Sequence, residues 1–229
     1  MTDQIIQSTP LYGLIEIPQT IPVDYLILFL HGWTGDENSM QIFSHVAPSS
    51  AGKIFLRGQL PAPTGFGWAP PRQGEWIPME KFKPAAYLIH QTLEQIQRDI
   101  FQNRNLSVIP VGFSQGGAMA LALVYFYPEQ FFRAAVLSGF LPEIHSNELA
   151  FHQKSIFLSH GVKDEIIPVE MARESVRRLK QAGAYVQYCE SQTAHKTSAE
   201  CLKQLKIFLE AGSSRLSGTD KGNQTEEYP

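Results

Sequence analysis

The sequence predicts an α/β layered fold with a mostly parallel central sheet and helices on both faces. Three observations carry that prediction. Short apolar runs of strand length alternate with segments of helical periodicity, the pattern of repeated strand–helix units. The strongest run, Tyr25–Leu30 (YLILFL), is apolar at every position, as in a strand covered on both faces. The 229 residues are 43% hydrophobic and 18% charged, enough apolar side chain for one compact domain with a large core.

Taken in order, the first element is a strand at Leu11–Ile17, expected on the edge of the sheet. Tyr25–Leu30 and Lys53–Leu56 follow as strands. The segment Gln59–Met79 is rich in proline, glycine and aromatics and reads as a long functional or mobile loop. Pro84 suits a first helical turn, and Ile89, Leu93, Ile96 and Ile100 give the following helix one apolar face. Leu106–Phe113 reads as a strand despite Pro110, which donates no ladder bond and calls for a bulge or an unusually placed donor. Ala118–Tyr127, the longest apolar run, belongs to the next helix. It is about half of the ~20 residues a membrane span requires. Ala134–Leu137 and Ser155–Ser159 are strands, Pro168 opens a helix that ends near Gly183, and Ala184–Cys189 is the last strand. The final helix starts at a capping box, with Thr197 at the cap and Glu200 three residues on. Leu202, Leu205, Phe208 and Leu209 are its buried stripe. Residues 1–211 thus form the expected single domain, and 212–229 a polar, aperiodic tail expected to be disordered.

Composition excludes several classes. The formal charge is −3 with no basic block, which argues against nucleic acid as a partner. Cys189 and Cys201 make neither a disulfide framework nor a zinc motif, and both read as buried or partly exposed thiols. The amino terminus carries no basic segment followed by an apolar one, so a cytoplasmic chain without a stable membrane anchor is expected. A homodimer is compatible with the sequence, which sets no oligomeric state.

The pattern Gly112-Phe113-Ser114-Gln115-Gly116 falls where a strand gives way to a helix, the setting of a nucleophile elbow. Such a turn strains the serine and pushes its hydroxyl out of the sheet. Residues two before and two after crowd it, and glycine avoids the clash of a Cβ there. A serine hydroxyl is a weak nucleophile that requires a base, and the base an orienting group. In sites of this type the chain order is serine, acid, histidine. That order sets His31, His45 and His90 aside and leaves His145, His152, His160 and His195. His195 stands between the last strand and the last helix, beyond the carboxyl end of a strand, where open α/β sheets place their sites. The acid is best read from SHGVKDEIIP, as Asp164 in the loop after a strand. Glu165 and Glu143 are the alternatives. The turn after Tyr25–Leu30, LHGWTGD, offers the Trp33 N–H, which with the Gln115 N–H makes a candidate oxyanion hole.

Five stretches resemble the phospholipase/carboxylesterase family of α/β-hydrolases, which includes the acyl-protein thioesterases: LHGWTGDENS, GFSQGGAMAL, LSGFLP, HGVKDEIIPVE and AHKTSAECLKQLKIFL. They occur in the family's order over roughly Tyr25 to Leu209. The resemblance implies an α/β-hydrolase fold, Ser114 as nucleophile, Asp164 as acid, His195 as base, backbone oxyanion donors at Trp33 and Gln115, and no cofactor. It implies a serine hydrolase acting on carboxylic esters, with acyl thioesters and lysophospholipids as further substrate classes. Family members often have Leu-Gly after the His-Gly. Here the residues are Trp33-Thr34, which sets a bulky side chain near the acyl site. Trp33 and Trp68 are the expected lining of the substrate pocket. The rivals are a non-catalytic ligand-binding module of the same fold and a peptidase on that fold.

Overall fold

The computed structural model describes residues 2–6, 9–19, 22–71, 76–144 and 148–211. The expected tail at 212–229, His145 and residues 72–75 of the Gln59–Met79 segment lie outside the described residues. The strands are β1 (Thr2–Ile6), β2 (Gly13–Ile17), β3 (Tyr25–Leu30), β4 (Ala51–Leu56), β5 (Leu60–Ala62), β6 (Gly65–Gly67), β7 (Val108–Phe113), β8 (Arg133–Leu137), β9 (Ser155–Gly161) and β10 (Tyr185–Ser191). The helices are α1 (Lys83–Asp99), α2 (Gln115–Phe126), α3 (Val169–Gln181) and α4 (Ala199–Glu210).

Eight strands form one sheet in the order β1-β2-β4-β3-β7-β8-β9-β10. The β1–β2 and β2–β4 pairs are antiparallel and the remaining pairs parallel. The expected edge strand at Leu11–Ile17 is therefore one place in from the edge. The chain before it adds β1 alongside, Thr2 opposite Ile17.

Strand β3 shows how the sequence builds two cores. Leu26, Leu28 and Leu30 face the core under α1, α2 and α3. Tyr25, Ile27 and Phe29 face the core under α4 and the short 3-10 helix Gln41–Val46. Successive strand residues point to opposite faces, so a strand covered on both sides is apolar throughout. Helix α2 is buried from Gln115 to Tyr125, which explains a segment with no polar face.

Pro110 lies opposite Leu28 of β3, one residue before the ladder with β8 begins at Val111. Its missing N–H falls where that ladder has no rung, and neither a bulge nor an orphan acceptor is required. Pro84 lies in the first turn of α1, and Pro168 caps α3. Gly183, with φ +83°, follows α3 in the left-handed conformation usual after a helix end.

Two expectations are corrected. The cap of α4 is Ser198, whose Oγ accepts the Cys201 N–H at 3.2 Å. Thr197 instead approaches Ser159, Oγ to Oγ1 3.5 Å. Both residues carry a hydroxyl able to cap, and the helix begins one position later than the spacing predicts. The second correction concerns the cysteines, which are not thiols. Cys189 of β10 and Cys201 of α4 form a disulfide, with Cα atoms 5.7 Å apart. Helix α4 returns to pack on β9 and β10, and this return brings together two residues separated by 12 in sequence.

Candidate active site

The sheet reverses direction of growth at β3. From β3 the chain adds β4 on one side and, later, β7 on the other. Open α/β sheets form a crevice at such a point, outside the carboxyl ends of the strands. Ser114 stands there, between β7 and α2, with φ 54° and ψ −118°. A non-glycine residue in that region is strained by about 1–3 kcal/mol and persists only where its surroundings fix it. They do: the Ser114 N–H donates to Leu137 O (2.8 Å), and Ser114 O accepts the Gly117 N–H (2.9 Å). The flanking glycines are required by contact. A Cβ on Gly112 would stand 1.9 Å from Gly116 O, and one on Gly116 2.0 Å from Leu30 O.

Asp164 follows β9 and is buried. Its Oδ1 accepts the N–H groups of Ile166 (3.0 Å) and Ile167 (2.9 Å). Its Oδ2 lies 2.7 Å from His195 Nδ1. With Nδ1–H donated to the carboxylate, Nε2 of His195 is left as the acceptor. The loops carrying the pair are joined to each other. The Val162 N–H donates to Ser191 O (2.9 Å) and the Lys163 N–H to Thr193 O (3.0 Å). The approach is so close that a Cβ on Gly161 would meet Thr193 O at 2.2 Å. The Phe113 ring, one residue before the serine, is 4.9 Å from the His195 ring, centroid to centroid. Among the described residues no hydrogen bond joins Ser114 Oγ to the imidazole. Such bonds are commonly long before substrate binds. Of the alternatives, Glu165 is exposed, and Glu143 pairs through its backbone with Ile77 and Met79.

His160, one of the four histidines that chain order leaves as candidate bases, touches the acid instead. It is fully buried, its Nε2 2.8 Å from Ile167 O and 3.3 Å from Asp164 Oδ2. Burial holds this imidazole below its usual pKa. The side chain of His195 keeps 16% of its surface exposed, against none for His160, so of the two only His195 reaches the surface.

The turn after β3 runs against the elbow, where a Cβ on Gly32 would be 3.3 Å from Ser114 Cβ. The Thr34 N–H donates to Phe66 O (2.9 Å) and the Gly35 N–H to Gly32 O (3.1 Å). These bonds fix the turn on the carboxyl side of the Trp33 N–H. Gln115 opens α2, so its N–H is one of the first helical N–H groups, which have no acceptor within the helix. A second buttress lies beside the turn. Glu37 is buried and forms a two-point ion pair with Arg57, both contacts at 2.7 Å. The hydrogen bonds from Arg57 hold the Glu37 carboxyl below the usual carboxylate range. The guanidinium in turn lies over the rings of Tyr12 (4.3 Å) and Phe66 (4.7 Å).

Trp68, expected to line the substrate pocket, has no exposed surface. Its indole N–H donates to His31 O (2.7 Å), and its backbone N–H donates to Gln115 Oε1 (2.8 Å). Gln115 Nε2 donates to Ala69 O (2.9 Å). His31 Nδ1 bonds Gly32 O (2.7 Å), while Nε2 accepts the Gly58 N–H (2.9 Å). Burial lowers the His31 pKa, which suits this neutral tautomer. Trp68 therefore braces the turn and the elbow from behind. Part of the supposed loop is ordered as the β5–β6 hairpin, with Ala62 opposite Gly65. Trp33 is half-buried. Its ring lies where a Cβ on Gly67 would be, 2.2 Å away, and it also faces a cleft of about 560 Å³ bordered by His195 and Phe113. A larger groove, about 860 Å³, opens at the other end of the strands, by Tyr25, Ser155 and Tyr185. Among the described residues no three His, Cys, Asp or Glu side chains are grouped to hold a metal ion.

The sequence model of the phospholipase/carboxylesterase family matches residues 15–213. Carboxylesterase SOBER1 of Arabidopsis thaliana is 31% identical over 130 residues, 54% of this chain and 56% of that protein. The chain spans about half the length of the curated relatives it matches. A carboxylesterase structure from Mesorhizobium loti superposes with a TM-score of 0.79 at 15% identity, over 92% of this chain and 99% of that one. Acyl-protein thioesterase 2 of Zea mays gives 0.71 at 20% identity, over 87% and 97%. At these identities the likeness is one of fold, and the fold is that of the α/β-hydrolases, as expected from the sequence.

Proposed function

The chain belongs to the phospholipase/carboxylesterase family, and from that membership we propose that it is a serine hydrolase of carboxylic esters working through an acyl-enzyme. The observation that carries the proposal is the 2.7 Å contact between His195 Nδ1 and buried Asp164, beside a serine held at φ 54°. Binding alone requires neither.

Ser114 Oγ attacks the acyl carbonyl while His195 Nε2 takes its proton. The imidazolium is stabilised by Asp164. The N–H groups of Trp33 and Gln115 receive the developing oxyanion, each worth ~3 kcal/mol in the transition state. His195 then protonates the leaving oxygen, and the bond from carbonyl carbon to that oxygen breaks. Water, giving its proton to His195, releases the acid and restores the serine. No step calls for a cofactor. Acyl thioesters follow the same path, and the thioesterase likeness supports including them. Residues 1–211 are proposed as the working domain.

The expected cytoplasmic location and the Cys189–Cys201 bridge pull apart, because disulfides persist in oxidising compartments and are rare in the cytoplasm. Counting free thiols in protein from acid-quenched cells decides between them. Among the described residues no helix is long and apolar enough to cross a membrane.

The test of function is covalent labelling. A fluorophosphonate should mark the wild-type protein at Ser114, and Ser114→Ala should remain unmarked. Failure to label the wild type, together with no turnover of p-nitrophenyl, thioester or lysophospholipid substrates, would leave a binding module as the better reading.

A further inference from the structure

The cleft beside His195 has an apolar lining that the reaction itself assigns to one side of the substrate. We infer that it receives the alcohol half of the ester and selects an apolar alcohol. This rests on the proposed esterase reading.

The direction follows from the proton. The leaving oxygen must take its proton from His195 Nε2, because Nδ1 is engaged by Asp164. The group attached to that oxygen therefore extends past the imidazole. The cleft lies beside that imidazole, its lining including His195, Lys196, Phe113 and the turn Gly32–Gly35. Two of its lining residues adjoin the nucleophile: Phe113 precedes Ser114 in the chain, and a Cβ on Gly32 would be 3.3 Å from Ser114 Cβ.

The selectivity follows from the lining. Trp33, Met40, Ile42, Phe43, Phe113 and Leu202 give the wall its apolar side chains. Ile42 holds 68% of its surface in water at the mouth, exposure that an apolar ligand would remove. Lys196 borders the cleft as an exposed side chain, where solvent and salt weaken its pull on an anion. A volume of about 560 Å³ accommodates a linear or cyclic hydrocarbon alcohol. A phosphorylated glycerol or other charged leaving group would instead be set against Phe43 and Leu202, losing hydration with only the exposed Lys196 and His45 at the border to pair with.

The experiment uses the full chain and two ester series. In one, the acyl group is butyrate and the alcohol is methanol, butanol or hexanol, which differ little in leaving-group basicity. In the other, the alcohol is methanol and the acid is butyrate, hexanoate or octanoate. The readout is kcat/KM, which reports acylation and is blind to the deacylation step shared within the first series. Wild type should gain roughly two- to fourfold per methylene of alcohol while the cleft fills. Ile42→Gln, at an exposed position, and Leu202→Gln, at a half-buried one, should each lower the hexyl-to-methyl ratio about tenfold. The octanoate-to-butyrate ratio should stay within about twofold. Circular dichroism melting verifies that each variant is folded. A flat alcohol series in an active enzyme overturns the inference. So does a change in the acyl ratio instead of the alcohol ratio, which would mean that the cleft holds the acyl chain. No turnover of any ester by folded wild type ends the esterase reading and this inference with it.

Discussion

Asp164 Oδ2 stands 2.7 Å from His195 Nδ1, while Asp164 Oδ1 is held by two backbone N–H groups. The carboxylate is thus fixed before it orients the imidazole. Asp164→Asn keeps the shape but favours the wrong tautomer, and kcat should fall by ~10⁴ by analogy with serine proteases. Glu165→Gln, at an exposed neighbour, should change kcat less than about threefold. Steady-state kinetics on the two variants checks this. The reverse ranking would move the acid by one residue.

Ser114 supplies a second pair of outcomes. Ser114→Ala should reduce kcat by about 10⁴–10⁶ with the fold intact. Ser114→Gly should be as inactive but more stable than Ser114→Ala by about 1 kcal/mol, since glycine accepts φ 54° and ψ −118° without strain. Urea unfolding of the two variants measures the difference. Equal midpoints would show that the elbow stores no strain.

The side chain of Gln115 links the elbow to the segment behind it. Gln115→Leu leaves the Trp68 N–H and Ala69 O unpaired in a buried setting. The expected loss is about 2 kcal/mol or more of stability. If the brace also aims the oxyanion donors, kcat should drop with KM nearly unchanged. Thermal unfolding and kinetics on one preparation separate the two effects. A stable variant with full kcat would show that the brace is idle.

His31 and His160 set a pH dependence of stability. Burial lowers both pKa values, so the folded protein keeps both imidazoles neutral where the unfolded chain begins to protonate, at about pH 6.5. The unfolded state then binds more protons, and stability decreases as pH falls below that value, down to the folded pKa. Each histidine contributes up to ~1.4 kcal/mol per pH unit. Glu37, held below the usual carboxylate range, titrates outside this window. Urea midpoints should be lower at about pH 5.5 than at about pH 7.5, and His160→Asn should reduce the slope. Identical midpoints would mean that the folded protein accommodates both charges.

What the sequence made legible was periodic or punctuated. The all-apolar run of β3, the glycines around Ser114 and the prolines at α1 and α3 each act within a few residues, so spacing alone reveals them. Strand β1 was missed because Thr2–Ile6 has a polar start and draws its place from β2. Trp68 was assigned to a pocket because an aromatic in a loop looks the same from sequence whether it faces in or out. His160 and Glu37 act through burial, which composition does not report. The disulfide required the return of α4 onto β10, a tertiary event. The contact of Asp164 with His195, 31 residues apart, was reached only through the chain order common to such sites.

The bridge between Cys189 and Cys201 encloses the segment that carries His195. The base therefore rides on a covalent ring rather than on an open connection. Across a separation of 12 residues, such a ring removes about 3 kcal/mol of chain entropy from the unfolded state in the chain-entropy model. Fraying of α4 leaves both ends of the segment tied, and the imidazole remains within reach of its carboxylate. Cutting the ring leaves His195 dependent on the Asp164 contact and the bonds between the two loops. Heat inactivation and heat unfolding should coincide while the ring is closed and separate once it is reduced, with the catalytic arrangement failing first.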